Sequence, residues 1–469
     1  MLLKFVNRER ELSFLEESWR SKKSQFIPIY GRRRLGKTEL IKQFVKGKPH
    51  FYFLAKKDDI ILERRRFAES FAKKFNVYVN PESWESVFKS VSKIKRLVIV
   101  IDEFPFWIEK HKGIVSDFQL VWDEILKDTD AFLILCGSYV GMMESEVLGY
   151  KSPLYGRRTS QIKVNKLLFR DFVKFFPKWP FENVIRTYGS LDSIPFYIEQ
   201  FELREPFMEN VKKTFFRPES ILNREATILL EEELREVYRY LNIMRSVFEG
   251  ATTLNEIANK SRVDITNINK YLNVLLELRL IKRVYPVVIN RPKSKNFLYQ
   301  VSDNYFNFWL SYVYPFRDDI EIGELDGVVN FFKKDYPSYM GFVFEDVCRQ
   351  FLLGARPIKF NKIGRWWHKD SEIDIVALDE AGKEILFCEC KWKKNVNAEK
   401  VLKKLKEKAR LVDWPKRKGS RELIKGGKGP ELRKEYYCVI AKSFSRKFKE
   451  RGIFLFDLKD LEKAFTARA

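Results

Sequence analysis

"QFIPIYGRRRLGKTELIKQF", residues 25–44, sets an apolar run before Gly31, four residues, Gly36, Lys37 and Thr38, then resumes apolar residues at helical spacing. Strand, glycine-bearing turn and helix in that order form the Walker A pattern. The glycines let the backbone curl so that successive N–H groups face the β- and γ-phosphates of a nucleotide at a helix N-terminus. Lys37 would neutralise those phosphates and the Thr38 hydroxyl would ligate Mg²⁺. The nucleotide-contact set read here is Gly31, Arg32, Arg33, Arg34, Leu35, Gly36, Lys37, Thr38 and Glu39.

Two further apolar strands follow from the same chemistry. "RLVIVIDEF", residues 96–104, ends in Asp102 and Glu103, one carboxylate for the Mg²⁺ shell and one to polarise the attacking water. "AFLILCGS", residues 131–138, brings Ser138 to the same edge, where a hydroxyl could sense the γ-phosphate or form a turn. "SPLYGRRT", residues 152–159, offers Arg157 and Arg158 as arginine-finger candidates, acting within the chain or across subunits, with surface ion pairing as the alternative.

These motifs, with "FVNRERELSFLE" (5–16) and "SIPFYI" (193–198), resemble the archaeal ATPase family, a branch of the AAA-like and STAND P-loop NTPases. The resemblance implies ATP and Mg²⁺ as cofactors and nucleotide contacts from Asn7 and Arg8. It also implies a nucleotide-sensing element around Pro195 in a helical lid, where Asp192 and Ser193 replace the two glycines usual in the family.

Downstream, "TTLNEIANKSRVDITNINKYLNVLLELRLIKRVYPV" reads as a short helix from about Thr253, a turn near Ser261, a longer helix from about Ile265 to Leu278, and a β-wing. The pattern resembles a winged helix-turn-helix. Ile268, Tyr271, Leu272, Leu275 and Leu276 form the core stripe. Thr266, Asn267, Asn269, Lys270 and Asn273 are left for base edges or phosphates, or for protein contacts.

"EIDIVALDEAGKEILFCECKW", residues 372–392, is an apolar hairpin that nevertheless carries four charges. With the turn centred between Ala381 and Gly382, paired positions sum to 763, so Asp374 faces Glu389 and Glu372 faces Lys391. All four then project from one face. Facing carboxylates repel, and a divalent cation between them is the expected remedy. The arrangement resembles the PD-(D/E)XK nuclease core, which implies Asp374, Glu389 and Lys391 as catalytic residues and Glu345 as a further metal ligand beside Asp374 and Glu389. The competing reading is an ion-pair cluster on a fold without catalysis.

Composition frames these motifs. The chain has 469 residues, 45% hydrophobic, and a net charge of +24. From Lys391 onward there are 25 Lys and Arg against 10 Asp and Glu. A polyanion, foremost DNA, is therefore the expected partner. "WPKRKGSRELIKGGKGPE", residues 414–431, reads as a basic loop able to follow a phosphate backbone. The five cysteines show no CxxC pair and only three histidines occur, which argues against a zinc knuckle or a histidine-based centre. No long apolar run or secretory h-region is legible, so a cytoplasmic protein without membrane insertion is expected, with homo-oligomerisation possible.

The expected fold is therefore α/β in three parts. A P-loop NTPase with a parallel sheet and helical lid spans 1–231, a winged helix-turn-helix spans 232–292, and an α/β restriction-endonuclease-like domain spans 293–469. The expected function is a DNA-binding ATPase coupled to a Mg²⁺-dependent nuclease-like domain. The alternative is a STAND-like switch whose last domain only binds DNA or protein.

Overall fold

In the computed structural model the described residues are 6–288, 296–414 and 433–467. They form two compact units: Met1–Leu167 with Ile194–Glu199, and Leu168–Ser193 with Gln200–Ala469.

The first unit is built on six parallel strands: β1 (Gln25–Phe26), β2 (Ile29–Tyr30), β3 (His50–Leu54), β4 (Val98–Asp102), β5 (Phe132–Gly137) and β6 (Ile162–Lys163). Their order is β3-β4-β5-β2-β6, with β1 also pairing β5. Pro28 separates β1 from β2, as a residue without an N–H must interrupt a ladder, yet its carbonyl still accepts from Ile162. Strands β4 and β5 are buried at every position, the mark of a parallel sheet covered on both faces. Phe51, Phe53, Phe67, Trp84, Phe88, Trp107 and Phe118 belong to one core that fixes the sheet against its helices.

The second unit opens with the short helix Phe169–Phe172, followed by helices Phe181–Leu191, Phe207–Phe215 and Ile221–Glu233. Helices Val237–Phe248, Leu254–Ser261 and Ile265–Glu277 follow, then an antiparallel ribbon of β7 (Ile281–Val284) and β8 (Leu298–Val301). A capping box between Thr253 and Glu256 starts the second of these helices, and Asp264 caps the third. Ile268, Tyr271, Leu272 and Leu275 are buried and Leu276 is half-buried, while Thr266, Asn267, Asn269, Lys270 and Asn273 are exposed.

After helices Asn304–Tyr312 and Leu325–Ala355 comes a five-stranded sheet of β9 (Lys362–His368), β10 (Ser371–Asp379), β11 (Glu384–Lys391), β12 (Lys434–Ala441) and β13 (Ile453–Phe456). Its order is β13-β12-β11-β10-β9, antiparallel among β9, β10 and β11 and parallel from β11 to β13. Helix Ala398–Ala409 sets Leu405 and Ala409 in a core with Val376, Leu378, Ile385 and Phe387.

This division differs from a boundary at residue 231. Within the second unit, the Tyr188 hydroxyl donates to Asp346 (2.8 Å) and the Asn304 backbone N–H to Asp192 (3.0 Å), so helix Phe181–Leu191 packs with the C-terminal helices. Such long-range partners are invisible to local periodicity. Of the basic stretch 414–431, residues 415–431 lie outside the described residues.

Candidate functional site

The phosphate loop is held shut by its own lysine. Lys37 Nζ donates to the carbonyls of Gly31 (2.8 Å) and Arg32 (3.2 Å). Those bonds tie the start of helix Lys37–Val45 back to the loop and preorganise it. A Cβ at Gly31 would come within 2.3 Å of the Val164 carbonyl oxygen, so only glycine admits the chain beyond β6. Gly36 caps helix Lys37–Val45 in the left-handed region at φ 83°, with open space where a Cβ would be. Arg34 stacks on the ring of Phe196, 4.0 Å to its centroid. Pro195 begins the short helix Pro195–Ile198 that carries this ring, and burial together with Glu39 raises the pKa of nearby Glu199. Arg8 is buried and donates to the Leu35 (3.2 Å) and Asn165 (2.6 Å) carbonyls, and its backbone N–H donates to Asn7 Oδ1 (2.6 Å). The Arg8 side chain thus braces the loop.

At the end of β4, Thr38 Oγ1 donates to Asp102 Oδ2 (3.0 Å) and so does the Tyr52 hydroxyl. Burial, then the Asp102 charge, pushes the Tyr52 phenol well up, so it stays a donor. Tyr52 was missed in sequence; its pairing with Val100, two residues before Asp102 on the adjacent strand, is the signal that places it. Glu103 adopts φ 56°, a region costly for a residue with a Cβ, and this turns its carboxylate toward β5. There Ser138 Oγ donates to both Glu103 oxygens at 2.7 Å. Ser138 thus orients the glutamate.

Arg157 and Arg158 are not brought to this loop. Arg157 is tied to Asp123 (2.7 Å) and the Pro153 carbonyl (2.6 Å), and Arg158 to the Leu148 carbonyl (2.8 Å). The adjoining Thr159 N–H bonds the Phe26 carbonyl, at the end of the central strand remote from Gly31. The backbone pairing that leads into β6 thus sets both arginines at the end of the sheet away from the loop.

The second cluster lies on β10 and β11. Ile375 pairs with Cys388 and Val376 with Phe387, the 763 register, which sets Asp374 opposite Glu389. Both carboxylates are buried. Asp374 Oδ2 accepts from the Cys390 N–H (2.8 Å), and Lys391 Nζ lies 2.6 Å from Glu389 and 3.8 Å from Asp374. Lys408, from helix Ala398–Ala409, reaches the other Glu389 oxygen at 2.7 Å. The lysine run hid that residue in the sequence. Glu345, on helix Leu325–Ala355, is pushed up to about 8 by burial and by Asp374. Burial and Glu389 likewise raise Asp374. Burial pulls Lys391 down, but the two carboxylates outweigh it and its pKa is raised.

Two expectations change here. Glu372 leaves the quartet: its side chain is 60% exposed and pairs with Arg365 (3.1 Å). A bulge in the β9–β10 pairing between Ile373 and Val376 breaks strict alternation, so Ile373 shares the core of Val376 and Leu378 and Glu372 turns away. Nor does a cation alone relieve the Asp374–Glu389 repulsion, because Lys391 and Lys408 already oppose it. Among the described residues no group of three or more His, Cys, Asp and Glu forms a ready metal cage. Burial, the larger cause, and neighbouring carboxylates raise Glu345 and Asp374, and the donors are hard carboxylate oxygens suited to Mg²⁺.

A parallel sheet carrying this loop and strand-end acid pair defines a P-loop ATPase. Residues 5–201 match the ATPase domain predominantly from Archaea, and residues 309–403 match a family of archaeal and bacterial proteins of unknown function. An uncharacterized Methanocaldococcus jannaschii protein, MJECL04, is 37% identical over 97% of this chain and 99% of its own. An uncharacterized ATP-binding protein of the same organism, MJ0423, is 53% identical over 10% of this chain and 80% of its own. The Walker-type ATPase PABY2304 of Pyrococcus abyssi shares the fold, with a TM-score of 0.51 and 21% identity over 65% of this chain and 96% of that one. The chain belongs to this archaeal ATPase family and is an ATP-hydrolysing enzyme. Among the described residues no helix is long and apolar enough to cross a membrane.

Proposed function

We propose that the protein is a DNA-acting ATPase whose C-terminal acid cluster cleaves phosphodiesters with a divalent cation. The approach of Asp374, Glu389 and Lys391 where β10 and β11 pair, with Glu345 near enough for the Asp374 charge to raise its pKa, supports this reading. A bound Mg²⁺ would polarise the scissile phosphate, with Asp374, Glu389 and Glu345 as its holders. Lys391, between two carboxylates, is placed to orient water or to oppose charge developing on the phosphate. In the ATPase, Thr38 and Asp102 would hold nucleotide-bound Mg²⁺, Lys37 would neutralise phosphate, and Glu103, aligned by Ser138, would take the proton from attacking water. The remaining loop residues, Arg32 to Leu35 and Glu39, surround the nucleotide.

Helices Leu254–Ser261 and Ile265–Glu277 with the β7–β8 ribbon read as a winged helix-turn-helix whose exposed Thr266, Asn267, Asn269, Lys270 and Asn273 face DNA. The charge of +24 supports a polyanionic partner. Incubated with plasmid DNA and Mg²⁺ or Mn²⁺, the protein nicks or linearises it, and Asp374→Ala and Glu389→Ala abolish this. Equal cutting by both variants rejects catalysis at this cluster.

The double lysine contact at Glu389 supports a second reading, an ATP-driven switch whose neutralised cluster only binds. It predicts nucleotide-dependent assembly with no cleavage under any metal.

A further inference from the structure

Beside the acid cluster, and within the same compact unit, lies a cavity of about 250 Å³. Its aromatic wall includes Tyr299 of β8, Phe342 of helix Leu325–Ala355 and Trp367 of β9, and its polar groups include Gln300, Asn307 and Arg365. Asn307 is 94% buried, and among the described residues its side-chain amide makes no hydrogen bond; only its backbone does. The Gln300 carboxamide likewise makes none among the described residues. The Asn307 carboxamide lines the cavity with no protein partner among the described residues, so a ligand there meets both a free donor and a free acceptor.

One side chain of the cavity wall also contacts the acid cluster. Arg365 lines the cavity and also reaches Glu345 (3.7 Å) and Glu372 (3.1 Å). Phe342 precedes Glu345 by three residues on the same helix, which puts the two on one face. A ligand lying in the cavity therefore extends toward the carboxylates.

We infer that this cavity receives one unpaired nucleobase of a DNA strand whose backbone runs past Asp374, Glu389 and Lys391. This rests on the nucleic-acid reading above and narrows its substrate to DNA with a single-stranded or extruded nucleotide. Each element of the cavity matches that ligand. Aromatic walls stack on any base, and two carboxamides each offer a donor and an acceptor to a base edge. A paired base inside a duplex presents neither its faces nor its Watson–Crick edge, so duplex DNA would not fill the cavity.

The test uses the full-length protein in EDTA and a single-stranded oligonucleotide carrying one 2-aminopurine, compared with its fully paired duplex. Aminopurine fluorescence should be quenched on binding the single strand, which should bind about tenfold tighter than the duplex, the scale of a base-stacking contact. Asn307→Leu combined with Gln300→Leu should remove both quenching and preference while leaving duplex affinity and the melting midpoint in place. Asn307→Asp, which keeps the shape, should weaken the preference even if the double variant fails to fold. Unchanged quenching and preference in Asn307→Asp and in a folded double variant overturns the proposal. So does displacement of the strand by an equal concentration of free 2-aminopurine nucleoside monophosphate, which would make the cavity a free-nucleotide site. The nuclease reading fails separately: Asn307-dependent quenching without metal-dependent cutting keeps the pocket and removes the cleavage. Cutting without quenching does the reverse.

Discussion

The two acid clusters of this protein are assembled at strand ends by different partners. At β4, Asp102 and Glu103 are held by neutral hydroxyls, from Thr38 and Tyr52 on one side and Ser138 on the other. At β10 and β11, Asp374 and Glu389 face ammonium groups from Lys391 and Lys408, with Arg365 beside Glu345. Neutral donors orient a carboxylate without cancelling its charge, so a cation arriving with nucleotide meets the full field. Cationic partners cancel part of that charge in advance, and a metal there must compete with them. The first cluster is poised for a cation, whereas the second is balanced and admits one only where acids remain in excess.

The largest effect expected from this contrast is at Lys37. Lys37→Ala removes the charge that opposes the phosphates and the two bonds that close the loop, so ATP turnover should fall by about a hundredfold or more. Nucleotide binding measured by fluorescence titration should weaken in parallel. Unchanged turnover would remove the loop from the mechanism.

The two lysines at Glu389 sharpen the comparison next. Lys391 touches both carboxylates, Lys408 only one. Lys391→Ala should lower metal-dependent cutting by about a hundredfold, the scale of a lost charge-stabilising group. Lys408→Met should leave cutting within a few-fold and cost about 1 kcal/mol of stability, since its ammonium is partly solvated. Equal losses of cutting would make both lysines structural and favour the switch reading.

Ser138 probes the neutral-donor cluster more gently. With Ser138→Ala the Glu103 carboxylate loses its aligning hydroxyl but keeps its charge and position in sequence. The kcat for ATP should drop about tenfold with little change in KM, because misalignment of a general base affects the chemical step. A change in KM alone would instead support direct contact between Ser138 and nucleotide.

What sequence made legible follows from where each determinant lies. The loop from Gly31 to Thr38 is local, and its strand-to-helix context fixes geometry that the fold reproduces. The hairpin register was legible because a tight loop specifies pairing, so the placement of Asp374 opposite Glu389 was set by residues 372–391 alone. Glu372 was misplaced because a bulge depends on the neighbouring strand β9, which pattern within the hairpin does not encode. Tyr52, Lys408 and Arg365 come from separate elements, and one hydroxyl or one lysine among many carries no periodic signal. The packing of helix Phe181–Leu191 with the C-terminal helices joins residues far apart in sequence, as in the Tyr188–Asp346, Tyr336–Arg186 and Tyr339–Gly189 hydrogen bonds.

A third carboxylate completes the comparison at the smallest scale. Glu63 is buried in the first unit and combines both modes: it accepts from Arg66 (2.7 and 2.8 Å), from the Trp107 indole N–H (2.9 Å) and from the Lys56 backbone N–H (2.9 Å). Burial raises its pKa, but these donors outweigh burial and hold it below the usual carboxylate value. A depressed folded pKa means that ionised Glu63 stabilises the fold fully above the unfolded-state value near ~4.3, and that this contribution is lost as pH falls through the lower, folded value. Glu63→Gln should therefore lower stability by about 1–2 kcal/mol at pH 7, as measured by urea denaturation. The gap between wild type and variant should shrink below about pH 4, where the wild-type carboxylate begins to protonate. A gap that stays constant through that range would assign the loss to packing around the amide and leave the carboxylate's charge without a stabilising role.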